Sequence, residues 1–211
     1  MSIYNLELDT FIQNFNVSQE NKEIYGDVQT DIKLIHTILN LIPKKFFLNP
    51  NLKWLDPCAG KGYFSMVLYK KLFKGLESTY INPQKRHSHI ITNMLYINEI
   101  NSSYIPVLKM MFGEKSNVFN QNFLKHNQKY DFIIGNPPYN CNGLIKVPTS
   151  RTDKKKDGKS IWQSFILKSL SLLKNNGYLN FITPSIWMKN DHPLFNTITS
   201  LNICSIHTLN N

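Results

Sequence analysis

The sequence lacks the residues and spacings that mark several common classes of protein. Its three cysteines, Cys58, Cys141 and Cys204, include no C-x-x-C pair. An odd number of widely spaced cysteines argues against a structural zinc site and favours a reducing compartment. None of the six histidines belongs to an H-x-x-x-H or H-x-H group that includes carboxylates, so no metal site is expected.

Long apolar stretches are missing as well. No run reaches the length of about eighteen apolar residues that a transmembrane helix needs. Residues 1–7 do not combine a basic region with an apolar core, so they do not resemble a signal peptide. We therefore expect a soluble, intracellular protein with no membrane partner.

Acidic residues are few, and this shortage indicates the kind of partner. The chain has 14 Asp and Glu against 24 Lys and Arg, which gives a formal net charge of +10. Clustered Lys and Arg gain affinity by displacing counterions from phosphates, so the excess favours a polyanion such as nucleic acid. A length of 211 residues is enough for one α/β domain with a real core, but hardly for two full domains.

The stretch Asn136-Pro137-Pro138-Tyr139 is the most informative part of the sequence. It directly follows the apolar run at residues 130–135, which is typical of a buried strand. The two prolines cannot donate to a sheet and they fix φ, so the chain must leave the strand as a rigid, extended loop. Open α/β sheets bind ligands at the carboxyl ends of their strands, and this loop is predicted to be such a site.

A second strand-end site is predicted at residues 56–64. A short strand ends at Asp56, and a turn containing Gly60 and Gly62 leads into an apolar helix. The spacing does not match a phosphate loop, and Ser65 stands where a dinucleotide fingerprint would have its third glycine. Glu99 ends the next strand, where carboxylates of α/β cofactor sites accept from ribose hydroxyls.

The order of patterns along the chain predicts the fold class. Further helices are expected at residues 8–15, after Thr30 or Asp31, at 104–111, at 160–174 and at 194–201. Further strands are expected at residues 118–124, 131–134, 178–183 and 204–209. This alternation predicts a Rossmann-like, doubly wound, mostly parallel α/β sheet with helices on both faces, which ends after its sixth strand.

Residues 140–160 form a basic segment that begins one residue after Tyr139. It offers few apolar side chains to bury, so a mobile loop at the mouth of the candidate site is expected. A charge run is usually a solvated surface, but this position favours contact with phosphates. The predicted nucleic-acid-binding residues are Lys146, Arg151, Lys154, Lys155, Lys156 and Lys159.

Together, residues 56–64 and the Asn136–Tyr139 tetrapeptide resemble the S-adenosylmethionine-dependent amino-methyltransferases, specifically the adenine-N6 DNA methyltransferases. The likeness spans most of the chain and includes residues 25–30 as the family's N-terminal cofactor segment. It implies S-adenosylmethionine as cofactor and DNA as substrate. It also implies direct methyl transfer to the N6 amine of a flipped adenine, with no covalent intermediate on the enzyme.

The resemblance also assigns roles to residues. Catalysis falls to Asn136, Pro137, Pro138 and Tyr139, because acceptors on the amine hydrogens favour a pyramidal nitrogen. Asn122 stands where the family commonly has an acidic residue. The implied cofactor-binding residues are Thr30, Asp56, Pro57, Gly60, Gly62, Phe64, Glu99, Ile100, Asn122 and Phe123.

The expected organisation is an N-terminal part and a catalytic domain. Residues 1–50 would hold helices and a cofactor-lid segment, and residues 51–211 the catalytic domain. No target-recognition domain is evident, so a separate recognition protein or a missing C-terminal domain is an expected partner.

Two alternatives remain open from the sequence. One keeps the amine chemistry with RNA guanine or protein glutamine as substrate. The other is a non-catalytic, methyltransferase-like subunit that binds nucleic acid.

Overall fold

The computed structural model describes residue 25 and the ranges 29–141 and 159–208, without the side chains of Cys141 and Lys159. The helix predicted at residues 8–15 and most of the basic segment lie outside these ranges. The described strands are β1 (Trp54–Asp56), β2 (Leu95–Glu99), β3 (Asn117–Asn120), β4 (Tyr130–Gly135), β5 (Asn140–Cys141), β6 (Lys159–Ser160) and β7 (Leu173–Phe181).

Five of these strands form one parallel sheet in the order β3-β2-β1-β4-β7. Strands β1 and β4 lie at its centre, and apart from Asp131 their residues are buried. This burial explains the near-continuous apolar runs that parallel strands show in sequence. Asp56, Glu99 and Gly135 end adjacent strands at the same edge, so the parallel arrangement brings the predicted strand-end sites together.

Six α-helices lie within the described ranges. They are α1 (Ile32–Asn40), α2 (Tyr63–Gly75), α3 (Pro83–His89), α4 (Ile105–Phe112), α5 (Trp162–Leu172) and α6 (Phe195–Thr199). Helix α1 begins where predicted, because the Asp31 carboxylate accepts from the backbone N–H groups of Lys33 and Leu34. Short 3₁₀ turns cover Lys44–Leu48, Ser102–Tyr104, Phe123–Lys125 and Ser185–Met188, and a π turn covers Ile90–Met94.

Apolar side chains fill both sides of the sheet. On one side, α1, α2 and α4 contribute to a core that includes Leu39, Leu68 and Leu108. On the other side, Phe165 of α5 packs with Phe123 and Ile133. The predicted Rossmann-like α/β class, with helices on both faces, is therefore confirmed.

Some element predictions were wrong or imprecise. Residues 204–208 do not form the predicted strand, since they are exposed and pair with no described strand. The third strand ends at Asn120, because the Asn122 side chain accepts from the Leu124 N–H and starts a turn. The helix predicted to reach residue 174 ends at Leu172, where β7 begins.

The ends of the basic segment are better ordered than a mobile loop implies. Strands β5 and β6 pair antiparallel, with Asn140 opposite Ser160. The Ile161 N–H also donates to the Tyr139 carbonyl oxygen over 3.1 Å. Residues 142–158, between these strands, lie outside the described ranges, but both ends of the segment are fixed next to Tyr139.

Candidate active site

The glycine turn after β1 is tied to the carboxylate that ends β2. The Gly60 N–H donates to Glu99 Oε2 over 2.7 Å, and the Asn101 N–H donates to Glu99 Oε1 over 2.7 Å. Glu99 is buried, and its carboxylate joins the backbone of two loops at the ends of β1 and β2.

Position 62 of this turn requires glycine for two reasons. Gly62 has a φ of 89°, a conformation that side chains disfavour. A Cβ at Gly62 would also stand 2.7 Å from Leu108 Cδ2 of α4. The glycine therefore lets the start of α2 lie close against α4.

Asp56 is a buried carboxyl group behind the turn. Its Oδ2 accepts from Ser65 Oγ over 2.8 Å, and its Oδ1 accepts from the Cys58 N–H. Burial raises the pKa of Asp56 to about 7, the Ser65 hydrogen bond opposes this rise, and the Glu99 charge adds to it. A Cβ at Gly135 would lie 3.2 Å from Asp56 Oδ1, so β4 passes close to this carboxyl.

The raised pKa of Asp56 predicts a specific dependence of stability on pH. Between its ordinary pKa of 3.8 and the folded value of about 7, the folded protein holds a proton that the unfolded chain lacks. The contribution of Asp56 to the free energy of unfolding should therefore fall as pH rises through this window, by a few kcal/mol at about 1.4 kcal/mol per unit of pKa difference. Urea unfolding at pH 5 and pH 8 measures this loss.

The control for this prediction is a pair of substitutions. Asp56→Asn should flatten the fall between pH 5 and pH 8, whereas Asp191→Asn, at an exposed position, should leave it unchanged. An equal fall in wild type and Asp56→Asn would contradict the assignment to Asp56.

Asn136 has the most unusual environment among the predicted catalytic residues. Its Nδ2 donates to Thr30 Oγ1 over 3.1 Å. Its Oδ1 is buried and has no hydrogen-bond partner within the described part of the chain. Leaving a buried acceptor unpaired costs about 1–3 kcal/mol, so such an atom requires an explanation. A ligand that donates a hydrogen bond at this position would provide one.

The rest of the tetrapeptide is supported from neighbouring segments. The Cys58 thiol donates to the Asn136 backbone carbonyl over 3.3 Å, which joins the glycine turn to the tetrapeptide. Pro137 is buried, Pro138 is partly buried, and Tyr139 is 36% exposed. The Tyr139 ring is therefore accessible from solvent at the position where the chain enters β5.

The structure brings some predicted cofactor-binding residues together and leaves others apart. Thr30 meets Asn136, and Glu99 meets Gly60, as described above. Ile100 is 52% exposed and Asn122 is exposed, with its oxygen capping the turn at Phe123. Phe123 is buried against Phe165, with ring centres 5.0 Å apart, so it is not presented as an open stacking surface.

Two more predicted cofactor residues lie in the interior. Phe64, in the first turn of α2, is buried in the core, and Pro57 is buried with its carbonyl accepting from Asn98 Nδ2 over 3.1 Å. Of the predicted nucleic-acid-binding residues, only Lys159 lies in the described ranges, as part of β6. Lys146, Arg151, Lys154, Lys155 and Lys156 lie outside them.

Sequence reasoning missed three residues that organise the site. Asn98 is buried and its Nδ2 donates to the carbonyls of Pro57 and Gln121, which joins the ends of β1 and β3. Ser65 donates to Asp56, and Cys58 donates to Asn136. Asn98 was identifiable in principle, because a polar residue immediately before Glu99 interrupts an otherwise apolar strand.

The residues at this edge of the sheet fit S-adenosylmethionine. A buried carboxylate, a glycine turn and a neighbouring unpaired amide oxygen all lie at the carboxyl edge of one parallel sheet. This set of donors and acceptors suits a cofactor with ribose hydroxyls, bound next to a substrate amine that donates hydrogen bonds. Within the described ranges, no group of three or more His, Cys, Asp or Glu side chains is placed to hold a metal ion.

Solved structures with the same fold define the class. A Listeria monocytogenes protein assigned to the class I S-adenosylmethionine-dependent methyltransferases superposes with a TM-score of 0.55 and 14% identity, covering 95% of this chain and 60% of that one. The modification protein of the type I restriction enzyme EcoKI superposes with a TM-score of 0.52 and 17% identity, covering 75% and 34%. The fold is therefore that of class I methyltransferases.

The family follows from the sequence. The profile of the Eco57I restriction-modification methylase family matches residues 64–211, and the chain belongs to this family. Membership of a methylase family with a class I fold confirms the predicted cofactor, S-adenosylmethionine, at the level of the family.

Curated relatives are similar over most of this chain. A Mycoplasma pneumoniae protein named as an adenine-specific methylase is 23% identical, over 83% of this chain and 58% of its own length. The type II methyltransferase M.VspI of a Vibrio strain is 29% identical, over 82% of this chain and 40% of its own. The chain thus spans roughly half the length of these relatives.

None of the helices in the described ranges has both the length and the apolar character needed to cross a bilayer.

Proposed function

We propose that this chain carries the catalytic site of a DNA adenine-N6 methyltransferase. The main support for the proposal is the buried, unpaired Oδ1 of Asn136, which lies at the carboxyl edge of the sheet in a methyltransferase fold. An acceptor in this state suits an exocyclic amine, which has two hydrogens to donate. The names of the relatives, an adenine-specific methylase and a type II methyltransferase, support adenine in DNA as the substrate.

The cofactor would be held by the turn and the neighbouring strand end. Glu99 would accept from ribose hydroxyls, and Gly60 and Gly62 would let the ligand approach the backbone. Thr30, Asp56, Pro57 and Phe64 would shape the same position, and Ile100, Asn122 and Phe123 would border the adenine. S-adenosylmethionine, when bound, supplies a methyl group on a positively charged sulfur that a nitrogen nucleophile displaces directly.

The tetrapeptide would prepare the target amine for this reaction. An amine conjugated with an aromatic ring is a weak nucleophile, because its lone pair is delocalised. The Asn136 Oδ1 and the Pro137 carbonyl would each accept one amine hydrogen and so favour a pyramidal nitrogen with a localised lone pair. Pro137 and Pro138 would keep these acceptors fixed, which lowers the entropy lost on reaching the reactive geometry.

The target base must leave the duplex to reach this position. Tyr139, partly exposed beside Asn136, would stack on the flipped base. Strands β5 and β6 hold both ends of the basic segment next to Tyr139. We therefore propose that Lys146, Arg151, Lys154, Lys155, Lys156 and Lys159 contact phosphates that flank the flipped base, and that a separate recognition domain or protein sets the target sequence.

The test is transfer of a tritiated methyl group from S-adenosylmethionine to separate DNA, RNA and protein pools. Label is expected in DNA, and digestion to nucleosides should place it on N6-methyl-2′-deoxyadenosine. Label in RNA guanine or in protein glutamine alone would replace the proposal with one of the alternative substrates. An absence of label from all three pools would support a non-catalytic subunit.

Thr30 provides a prediction on how the catalytic amide is oriented. Thr30→Val keeps the shape of the side chain but removes the hydroxyl that accepts from Asn136. The loss of one neutral hydrogen bond, about 0.5–1.5 kcal/mol, should lower kcat roughly 3- to 10-fold. Thr30→Ser should restore kcat, and Thr37→Val, which removes a hydroxyl on the exposed side of α1, should not change it.

Steady-state kinetics separates this role from simple cofactor binding. A rise in KM for S-adenosylmethionine at unchanged kcat would assign Thr30 to the cofactor alone and contradict the orienting role.

A further inference from the structure

A second concentration of positive charge lies at the end of α1 that is remote from Thr30. Helix α1 has nine residues and rises about 1.5 Å per residue, so Asn40 lies about 13 Å along the helix from the Thr30 end. Beyond it, the turn at Lys44–Leu48 packs against the last turn of α2 so closely that a Cβ at Gly75 would stand 2.3 Å from the Phe47 carbonyl oxygen. Four lysines and a neighbouring histidine are gathered here and form what we call the distal basic patch: Lys44, Lys45, Lys70, Lys71 and His36.

Two ammonium groups of the distal basic patch are held in place. Lys71 Nζ donates to Asn40 Oδ1 over 2.6 Å and lies 5.4 Å from the centre of the Phe47 ring. Lys45 Nζ lies 5.2 Å from the centre of the Phe46 ring. An ammonium group that lies over an aromatic ring is attracted to it and has already lost part of its freedom, which favours ligand binding.

Two groups of the distal basic patch lie close to positive charges within the described part of the chain. Burial, followed by the charges of Lys71 and Lys70, lowers the pKa of His36. Burial, followed by the charge of Lys44, lowers the pKa of Lys71. The charges that lower these two pKa values are therefore all positive.

Carboxylates on the same elements are engaged elsewhere. Glu77, just past the end of α2, pairs with Lys74 at 2.6 Å, and Asp31 caps the opposite end of α1. Grouping like charges opposes folding slightly, and a bound polyanion relieves that repulsion.

We propose that the distal basic patch binds the phosphate backbone of duplex DNA, as a second contact site separate from the mouth beside Tyr139. The choice of DNA rests on the proposed function, whereas the binding itself requires no methyl transfer. Phosphates succeed one another along a duplex at intervals of a few ångströms, so a duplex can present several phosphates to the lysines of the patch at once. A free phosphate or a single anionic side chain would occupy only part of a patch of this extent.

The test compares two triple variants that each remove three lysine charges. One is Lys44→Gln, Lys45→Gln and Lys71→Gln in the distal basic patch. The matched control is Lys85→Gln, Lys115→Gln and Lys125→Gln, at exposed positions outside it. Fluorescence anisotropy measures binding of a duplex of mixed sequence between about 50 and 200 mM salt, with no S-adenosylmethionine present.

The patch variant should bind more weakly and depend less on salt. Each lost phosphate contact lowers the slope of log affinity against log salt by about 0.9, so three contacts lower it by about 2 to 3. The control variant should keep most of the wild-type salt dependence. A third variant, Lys44→Arg, Lys45→Arg and Lys71→Arg, preserves the charges and should keep all of it. Circular dichroism melts of each variant identify any loss of binding that comes from unfolding.

Three outcomes would overturn the proposal. Equal slopes of log affinity against log salt for the patch and control variants would mean that these lysines are ordinary solvated surface residues. A loss confined to phosphatidylserine vesicles, with DNA binding unchanged, would assign the patch to a membrane surface. A loss confined to an acidic polypeptide such as polyglutamate would assign it to a protein partner. Because binding is measured without methyl transfer, failure of the proposed catalysis would leave each of these readouts intact.

Discussion

Asn136→Ala is expected to lower kcat for methyl transfer about 100- to 1,000-fold, the range seen when one preorganised polar group is removed from an active site. The substitution removes the unpaired Oδ1 that we assign to the target amine and the Nδ2 that donates to Thr30. Binding of S-adenosylmethionine should change little, because the proposed contact is with the amine. Single-turnover transfer of labelled methyl to DNA measures the effect directly.

The control for this variant is Asn140→Ala, which removes the same side chain four residues along, in β5. It should retain kcat within a few-fold. Equal activity of Asn136→Ala and wild type would remove the catalytic assignment of the tetrapeptide. A parallel loss of cofactor binding measured by calorimetry would instead indicate that the substitution has disturbed the glycine turn through Cys58.

Glu99→Ala is expected to weaken S-adenosylmethionine binding about 10- to 100-fold. Hydrogen bonds to charged groups contribute about 1.5–3 kcal/mol each, and the variant removes the proposed ribose acceptor. It also leaves the backbone N–H groups of Gly60 and Asn101 without their carboxylate partner, so the turn that faces the ligand loses its support. Isothermal titration calorimetry measures the affinity, and urea unfolding measures the accompanying loss of stability.

Two further variants separate the roles of Glu99. Glu99→Gln keeps one oxygen acceptor and should bind with intermediate affinity, whereas Glu114→Ala, at an exposed position, should bind as wild type does. Unchanged affinity in Glu99→Ala would contradict the ribose assignment and leave Glu99 with a purely structural function.

The sequence predicted most of the sheet because its strands are short, buried and followed by distinctive turns. Residues 54–56 and 130–135 are apolar runs in front of a glycine turn and a Pro-Pro pair, and both became central strands. The predicted strand at residues 204–209 lacked such support. Its alternating pattern gave no indication of a partner, and residues 204–208 are exposed.

Contacts within the site were harder to predict, since they depend on residues far apart in the chain. Thr30 and Asn136 are separated by 106 positions, and no local pattern signals their hydrogen bond. The dual use of Glu99 was also hidden, because a strand-end carboxylate has the same sequence pattern whether or not it binds backbone. Phe123 follows a strand, as cofactor-stacking residues do, yet packing against Phe165 buries it.

Strands β5 and β6 form a small antiparallel ribbon that closes the segment at residues 142–158. Because the ribbon joins the two ends of this segment, the position of the catalytic tetrapeptide should depend little on how long the segment is. The pairing of Asn140 with Ser160 joins the chain on both sides of residues 142–158, next to Tyr139 and the start of α5. Doubling the length of a closed loop costs only about 0.6 kcal/mol in closure entropy. We therefore expect this segment to accept inserted or exchanged sequences that change substrate preference, with no change to the residues around Asn136.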